Sequence, residues 1–175
     1  MKVLIVYFSR TGYTRRVAEQ LATRLGGTLC PITEASSRLG AWGYLRSVCE
    51  AAFGLQSEIG KVSVDPAQFD LMLIGTPVWG WHLSSPVRAF ARAHAVSVNR
   101  CAFFCTMGGA GAEKAFGALE GELRRAPLAT LALTDREIDS QMAGAKINAF
   151  VSLLSAAESA SAPGRVPDGS HLVAQ

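Results

Sequence analysis

The chain has 175 residues, 49% of them hydrophobic and 18% charged, a balance that excludes a disordered or fibrous protein and suits one well-buried domain. No apolar run approaches the roughly 18 residues that span a bilayer, and no signal-peptide cleavage pattern precedes the first apolar segment, so the expected location is cytoplasmic, with no membrane partner. A net charge of +3 with dispersed arginines lacks the concentrated basic stripe of a nucleic-acid binder.

In chain order, residues 2–7 (KVLIVY) form a β-branched and aromatic run, the pattern of a strand buried on both faces. After the turn SRTGYT, Val17, Leu21 and Leu25 recur every four residues and predict a helix that stops at Gly26 and Gly27. A short strand is predicted over 28–32. The irregular stretch between 33 and 65 carries Ala41, Leu45, Val48, Ala52 and Leu55 on one face of a further helix. Residues 69–75 (FDLMLIG) read as the third strand, running into the loop TPVWGWHLSS. Pro86 is placed for the first turn of a helix capped by Ser84 or Ser85. The fourth strand, 101–107, opens into a glycine-rich loop, and a helix over 112–125 leads to a fifth strand over 128–133. The last helix starts near Asp139, with Ile147, Phe150, Val151 and Leu154 as its buried stripe. One domain is therefore expected over 1–160, with the Pro-, Gly- and Ser-rich 161–175 as a flexible tail. Cys30, Cys49, Cys101 and Cys105 show no CxxC pair or His-rich partner cluster, so they read as apolar packers and no metal site is expected.

Strands alternating with helices predict an α/β fold, a doubly wound five-stranded parallel sheet with helices on both faces. Ligands of such sheets bind at the carboxyl ends of the strands, near the switch in strand order. The loops SRTGYT, TPVWGWHLSS and MGGAG leave strand carboxyl ends and should converge there. Ser9, Thr11 and Thr14 offer three hydroxyls around Gly12, and the following helix aims its free N–H groups into the same space, which suits a phosphate dianion. The same hydroxyls would also serve as ordinary helix caps. Neither GxxxxGK nor GxGxxG is present, so a monophosphate without magnesium is the better match. Trp79 and Trp81 flank Gly80. One indole is expected to stack on a flat aromatic cofactor, the alternative being a cover over the end of the sheet. Gly108, Gly109 and Gly111 would let backbone approach a ligand edge.

SRTGYT behind an apolar first strand resembles the phosphate-loop signature of the flavodoxin-like family, Ser/Thr-x-Thr-Gly-x-Thr. TPVWGW and TMGGAG are similar to that family's two flavin-flanking loops, and the likeness spans about residues 1 to 155. The resemblance implies FMN as cofactor, with Ser9, Arg10, Thr11, Gly12, Tyr13 and Thr14 around its phosphate. It further implies Thr76, Pro77, Val78, Trp79 and Gly80 beside the isoalloxazine, and Met107, Gly108, Gly109, Ala110 and Gly111 along its pyrimidine edge. Arg10 is expected to point into solvent. The favoured activity is electron transfer through the flavin to or from a redox partner protein, with Trp79 stacked on the ring and Gly80 letting the Trp79–Gly80 peptide reorient.

Two features depart from the family's acidic electron shuttles: a sequence pI of about 8.8, and the lack of an aromatic residue over 107–111. They leave open an FMN-dependent NAD(P)H oxidoreductase acting on a quinone or similar small acceptor. There His82 and Arg88 could touch substrate, against the plainer reading of both as surface residues. Either form is compatible with a monomer or a homodimer. A flavin-free interaction module using the Trp42 and Tyr44 region is the third reading, and intact Ser9, Thr11, Gly12 and Thr14 weigh against it.

Overall fold

The computed structural model describes residues 1–33 and 64–161; the helix predicted around 41–55, Cys49 and the tail beyond 161 lie outside them. Strand β1 (Val3–Tyr7) is the run VLIVY, buried at every position. A strand with no solvent face belongs in the middle of a sheet. Accordingly, β1 pairs in parallel with β2 (Thr28–Pro31) on one side and β3 (Leu71–Trp79) on the other. A short strand β4 (His82–Leu83) folds back antiparallel on the end of β3. Beyond β3 lie β5 (Cys101–Met107) and β6 (Thr130–Thr134), so the parallel order is β2-β1-β3-β5-β6. The order reverses between β1 and β3, where a doubly wound sheet opens its crevice.

Helices α1 (Tyr13–Leu25), α2 (Ser85–His94), α3 (Ala112–Leu123), α4 (Asp135–Asp139) and α5 (Ala143–Ser161) complete the described elements. Alternation along the strands divides the core in two. Leu4, Val6, Met72, Ile74 and Phe103 pack against Val87 and Phe90 of α2 and Leu119 of α3. Ile5, Leu73, Phe104 and Leu133 meet Val17 and Leu21 of α1 and Ile147, Phe150 and Leu154 of α5. Each fully buried large side chain contributes roughly 1.5–3 kcal/mol, so both layers are needed to hold the sheet. Gly75 is fixed by this packing, because a Cβ there would lie 2.1 Å from Phe104 Cζ on the neighbouring strand.

The sheet and its helices match the expected class, with two differences. Strand β3 does not stop at residue 75; it stays paired with β5 through Pro77 and ends only at Trp79. Pairing with β1 ends at Gly75, so Pro77 sits where β3 has lost that neighbour, a position that tolerates proline. The last helix starts at Ala143 and not near Asp139, and a separate helical turn precedes it. Thr134 and Glu137 form a capping box that starts the single-turn α4, and Gln141 at φ 60° breaks the path before α5. Cys101 and Cys105 are fully buried, and burial pushes their thiols up to about 11 and about 12, so both pack as neutral apolar groups. No described helix is long and apolar enough to cross a membrane.

Candidate functional site

Three connections converge at the carboxyl ends of β1, β3 and β5. After β1 the chain turns through Gly12 at φ 96°, a left-handed conformation that glycine adopts without strain. Gly12 is the N-cap of α1, no side chain caps the helix, and its first turn holds no acidic residue. The orphan N–H groups of that turn therefore keep their positive end open. Ser9 Oγ is sealed from solvent and lacks a hydrogen-bond partner among the described residues. Thr14 is buried, and its hydroxyl shares a 2.8 Å hydrogen bond with Thr106 at the end of β5, tying the turn to the sheet. Tyr13 turns away: its hydroxyl donates to Asp139 Oδ2 at 2.7 Å, while Arg16 Nη1 holds Asp139 Oδ1 at 2.9 Å. Arg16 and then Tyr13 keep the Asp139 carboxyl below its usual range.

Arg10 departs from expectation. It is half-buried, with Nη1 out of solvent, and it lines a cleft of about 390 Å³ together with Thr11, Pro77, Val78, Trp79, Met107 and Gly108. The cleft draws on all three segments, as the loop chemistry requires. Its wall adds Thr106 and Asp135, which sequence reasoning missed. Thr106 left one signal, a lone hydroxyl before the glycine run; Asp135 left none beyond its place after a strand. Burial, and then the charge of Asp139, raises the Asp135 carboxyl.

The second connection is a hairpin and not an open loop. Trp79 pairs with His82, and the two residues between them, Gly80 at φ 53° and Trp81 at φ 64°, have the left-handed pattern of a type I′ turn. This separates the two indoles. Trp79, still in the strand, is 5% exposed and meets Phe8 edge-to-face at 5.5 Å, whereas Trp81 is 63% exposed. The expected stacking of Trp79 on a cofactor thus meets a ring already packed in the core, which reaches the cleft only as part of its wall. Thr76 is also occupied. Its hydroxyl donates to the Pro77 carbonyl at 2.9 Å and shares a 2.9 Å bond with Ser84 Oγ inside the hairpin. Ser84 is the N-cap residue of α2, but its side chain makes no capping bond.

Gly111 locks the third connection to the hairpin. It has φ 107°, and a Cβ there would stand 2.7 Å from Trp81 Cα and 2.8 Å from Val78 Cγ1. Gly108 and Gly109 need no such freedom, since a Cβ on either would meet open space. A second cavity, of about 560 Å³, shares Met107 with the cleft and is walled by Trp81, Ala110, Gly111, Ala112, Glu113 and Lys114. Of the two side chains considered for substrate contact, His82 is half-buried in the hairpin. Arg88 is spent on an ion pair with Glu122 of α3 at 2.9 Å. Among the described residues no group of three His, Cys, Asp or Glu could hold a metal ion.

The fold has solved counterparts. A flavoprotein from Lactobacillus acidophilus, crystallised with FMN, aligns at 23% identity over 79% of this chain and 97% of its own, with a TM-score of 0.67. A candidate flavoprotein from Bacteroides eggerthii aligns at 24% identity over 86% of this chain and 98% of its own, with a TM-score of 0.70. Oxidised flavodoxin 1 from Bacillus cereus aligns at 12% identity over 89% and 98%, with a TM-score of 0.52. At these identities the likeness concerns the fold. No curated protein sequence matches the chain. The sequence profile of the family described as Flavodoxin matches residues 2–143, which include every segment that builds the cleft, and the chain belongs to the flavodoxin family.

Proposed function

We propose that this protein binds FMN in the cleft and carries electrons through it to or from a redox partner protein. The observation that carries this reading is Ser9, whose buried Oγ lacks a partner among the described residues, ahead of a helix α1 that no side chain caps. Such an unsatisfied hydroxyl costs about 1–3 kcal/mol, which a ligand that completes it would recover. A phosphate monoester fits the surroundings. Ser9 and Thr11 would donate through their hydroxyls, the first-turn N–H groups of α1 would bind the remaining oxygens, and the half-buried Arg10 would balance charge. Thr14 and Tyr13 would act through backbone, because their side chains hold the turn against β5 and α4.

Bound FMN supplies one- and two-electron chemistry in a single cofactor. The protein's part is to place its ring. Pro77, Val78 and Met107 close the cleft around a flat ligand, and Gly108 and Gly109, with open space where a side chain would be, let backbone approach its edge. Trp79 fixes the wall through Phe8, and Gly80 would let the Trp79–Gly80 peptide reorient at little steric cost. A net charge of +3 favours a partner with an acidic docking face. One observation favours the alternative, an NAD(P)H-dependent oxidoreductase acting on a small acceptor: the second cavity gives room for another ligand beside the cleft.

Adding FMN, removing the excess by gel filtration and reducing the complex anaerobically tests these readings. A retained flavin reduced in two well-separated one-electron steps supports the carrier. Reduction in one two-electron step, with turnover on NADH or NADPH, supports the oxidoreductase. Loss of all flavin on the column overturns both.

A further inference from the structure

We propose that the cavity where α2 and α3 end is a docking site for an acidic segment of a partner protein, one that carries a branched apolar side chain between carboxylates. The site lies outside the cleft, so it goes beyond the flavin reading and does not depend on it. Helix α2 ends ahead of β5 and α3 ends ahead of β6, which places both helix ends at the amino ends of the parallel strands, opposite the cleft. With 12 residues, α3 is about 18 Å long, so a segment held at its far end leaves the mouth of the cleft uncovered.

The cavity, of about 450 Å³, combines apolar Ala95, Val96 and Leu123 with charged Arg92, Glu122 and Arg124. Charge decides the partner. Arg92 donates to both oxygens of Glu122, from Nε at 2.6 Å and from Nη2 at 3.0 Å, and Arg88 Nη1 adds a third bond at 2.9 Å. One carboxylate thus meets two guanidinium groups, and Arg92 and then Arg88 hold it below its usual range. The surplus is positive, and Arg124 enlarges it: its side chain is exposed and makes no ion pair among the described residues. Glu120, the other carboxylate in the last turn of α3, is not part of the cavity wall. Arg124 also holds φ 52° at the C-cap of α3, a left-handed position where glycine is the usual residue, so its guanidinium stands at the helix end at a conformational cost. Val96 supplies the apolar half. It is 98% exposed in the turn Ala95–Ser97 after α2, beside these arginines, so an incoming segment meets an apolar contact and positive charge together. Protein interfaces favour that pairing, and a guanidinium can take a carboxylate through two parallel hydrogen bonds.

The probe is an acetylated, amidated pentapeptide with leucine between two pairs of glutamates, and its control replaces every glutamate with glutamine. Each is titrated into the isotope-labelled full chain, with and without added FMN, while backbone amide shifts are followed by NMR. The acidic peptide should move the amides of Val96, Gly121 and Arg124 saturably and leave those of Thr11 and Gly108 in the cleft unmoved. Its affinity should fall about fivefold in high salt. Arg124→Gln should weaken binding about fivefold and Val96→Asp at least about tenfold, both without changing FMN retention. Absence of a saturable shift at these amides, equal binding of the glutamine peptide, or an affinity indifferent to both substitutions overturns the site. Movement of the same amides by phosphatidylserine vesicles and not by the peptide overturns it in favour of a lipid surface. Protein that keeps no FMN yet binds the acidic peptide with the expected variant pattern upholds the site and fails the flavin reading alone.

Discussion

The turn over residues 9–14 and the hairpin over 79–82 stand at the carboxyl ends of adjacent strands, and they are built by opposite means. The turn leaves polar groups unfinished: among the described residues Ser9 Oγ lacks a partner, and no side chain caps α1. The hairpin is finished internally, with Thr76 bonded to Ser84, Trp79 packed on Phe8 and Gly111 wedged against Trp81. In the proposed reading, the unfinished groups are where the ligand completes the protein. Finished ones mark the frame that holds the ligand's place.

Substitutions can break or sharpen that contrast. The largest effect belongs to the frame: Trp79→Ala removes a core indole and should lower unfolding stability by about 3–5 kcal/mol in chemical denaturation. Ser9→Ala should do the reverse. The flavin-free protein should gain about 1–3 kcal/mol of stability as the unpaired buried hydroxyl is removed, while FMN binding weakens about ten- to hundredfold by titration because a ligand contact is lost. Thr14→Val tests the tie between the regions. It leaves the Thr106 hydroxyl buried and alone and should cost about 1–3 kcal/mol, and adding Thr106→Val should cost less than the sum of the single changes. The smallest effect is expected at Trp81. Trp81→Gly relieves the left-handed strain but adds chain entropy to the unfolded state, so thermal unfolding should register a change under about 1 kcal/mol. A loss there as large as that of Trp79→Ala would erase the distinction between the two indoles.

What the sequence could convey follows the same division. Strand β1 and the turn after it were legible because their signals are local: an unbroken β-branched run, then hydroxyls around a glycine. The doubly wound parallel class followed from strand and helix alternation, which leaves the strand order open, and α4 was missed ahead of the last helix because a capping box at Thr134 and Glu137 went unread. The roles of Trp79 and Trp81 were not legible. They depend on two consecutive left-handed residues, and tryptophan gives no local hint of that conformation. Asp135, and the partial burial of Arg10, were hidden for another reason. The cleft gathers them from distant parts of the chain, and a charged residue's burial is set by neighbours that sequence spacing does not reveal.

The most direct test of the central claim compares FMN with riboflavin, which differ only in the phosphate, by calorimetric titration of the same flavin-free protein. If the turn over 9–14 is a phosphate cup, FMN should bind at least about a hundredfold more tightly, the yield of more than one charge-assisted hydrogen bond. Equal affinities would show that the phosphate lies outside the turn and would contradict the account.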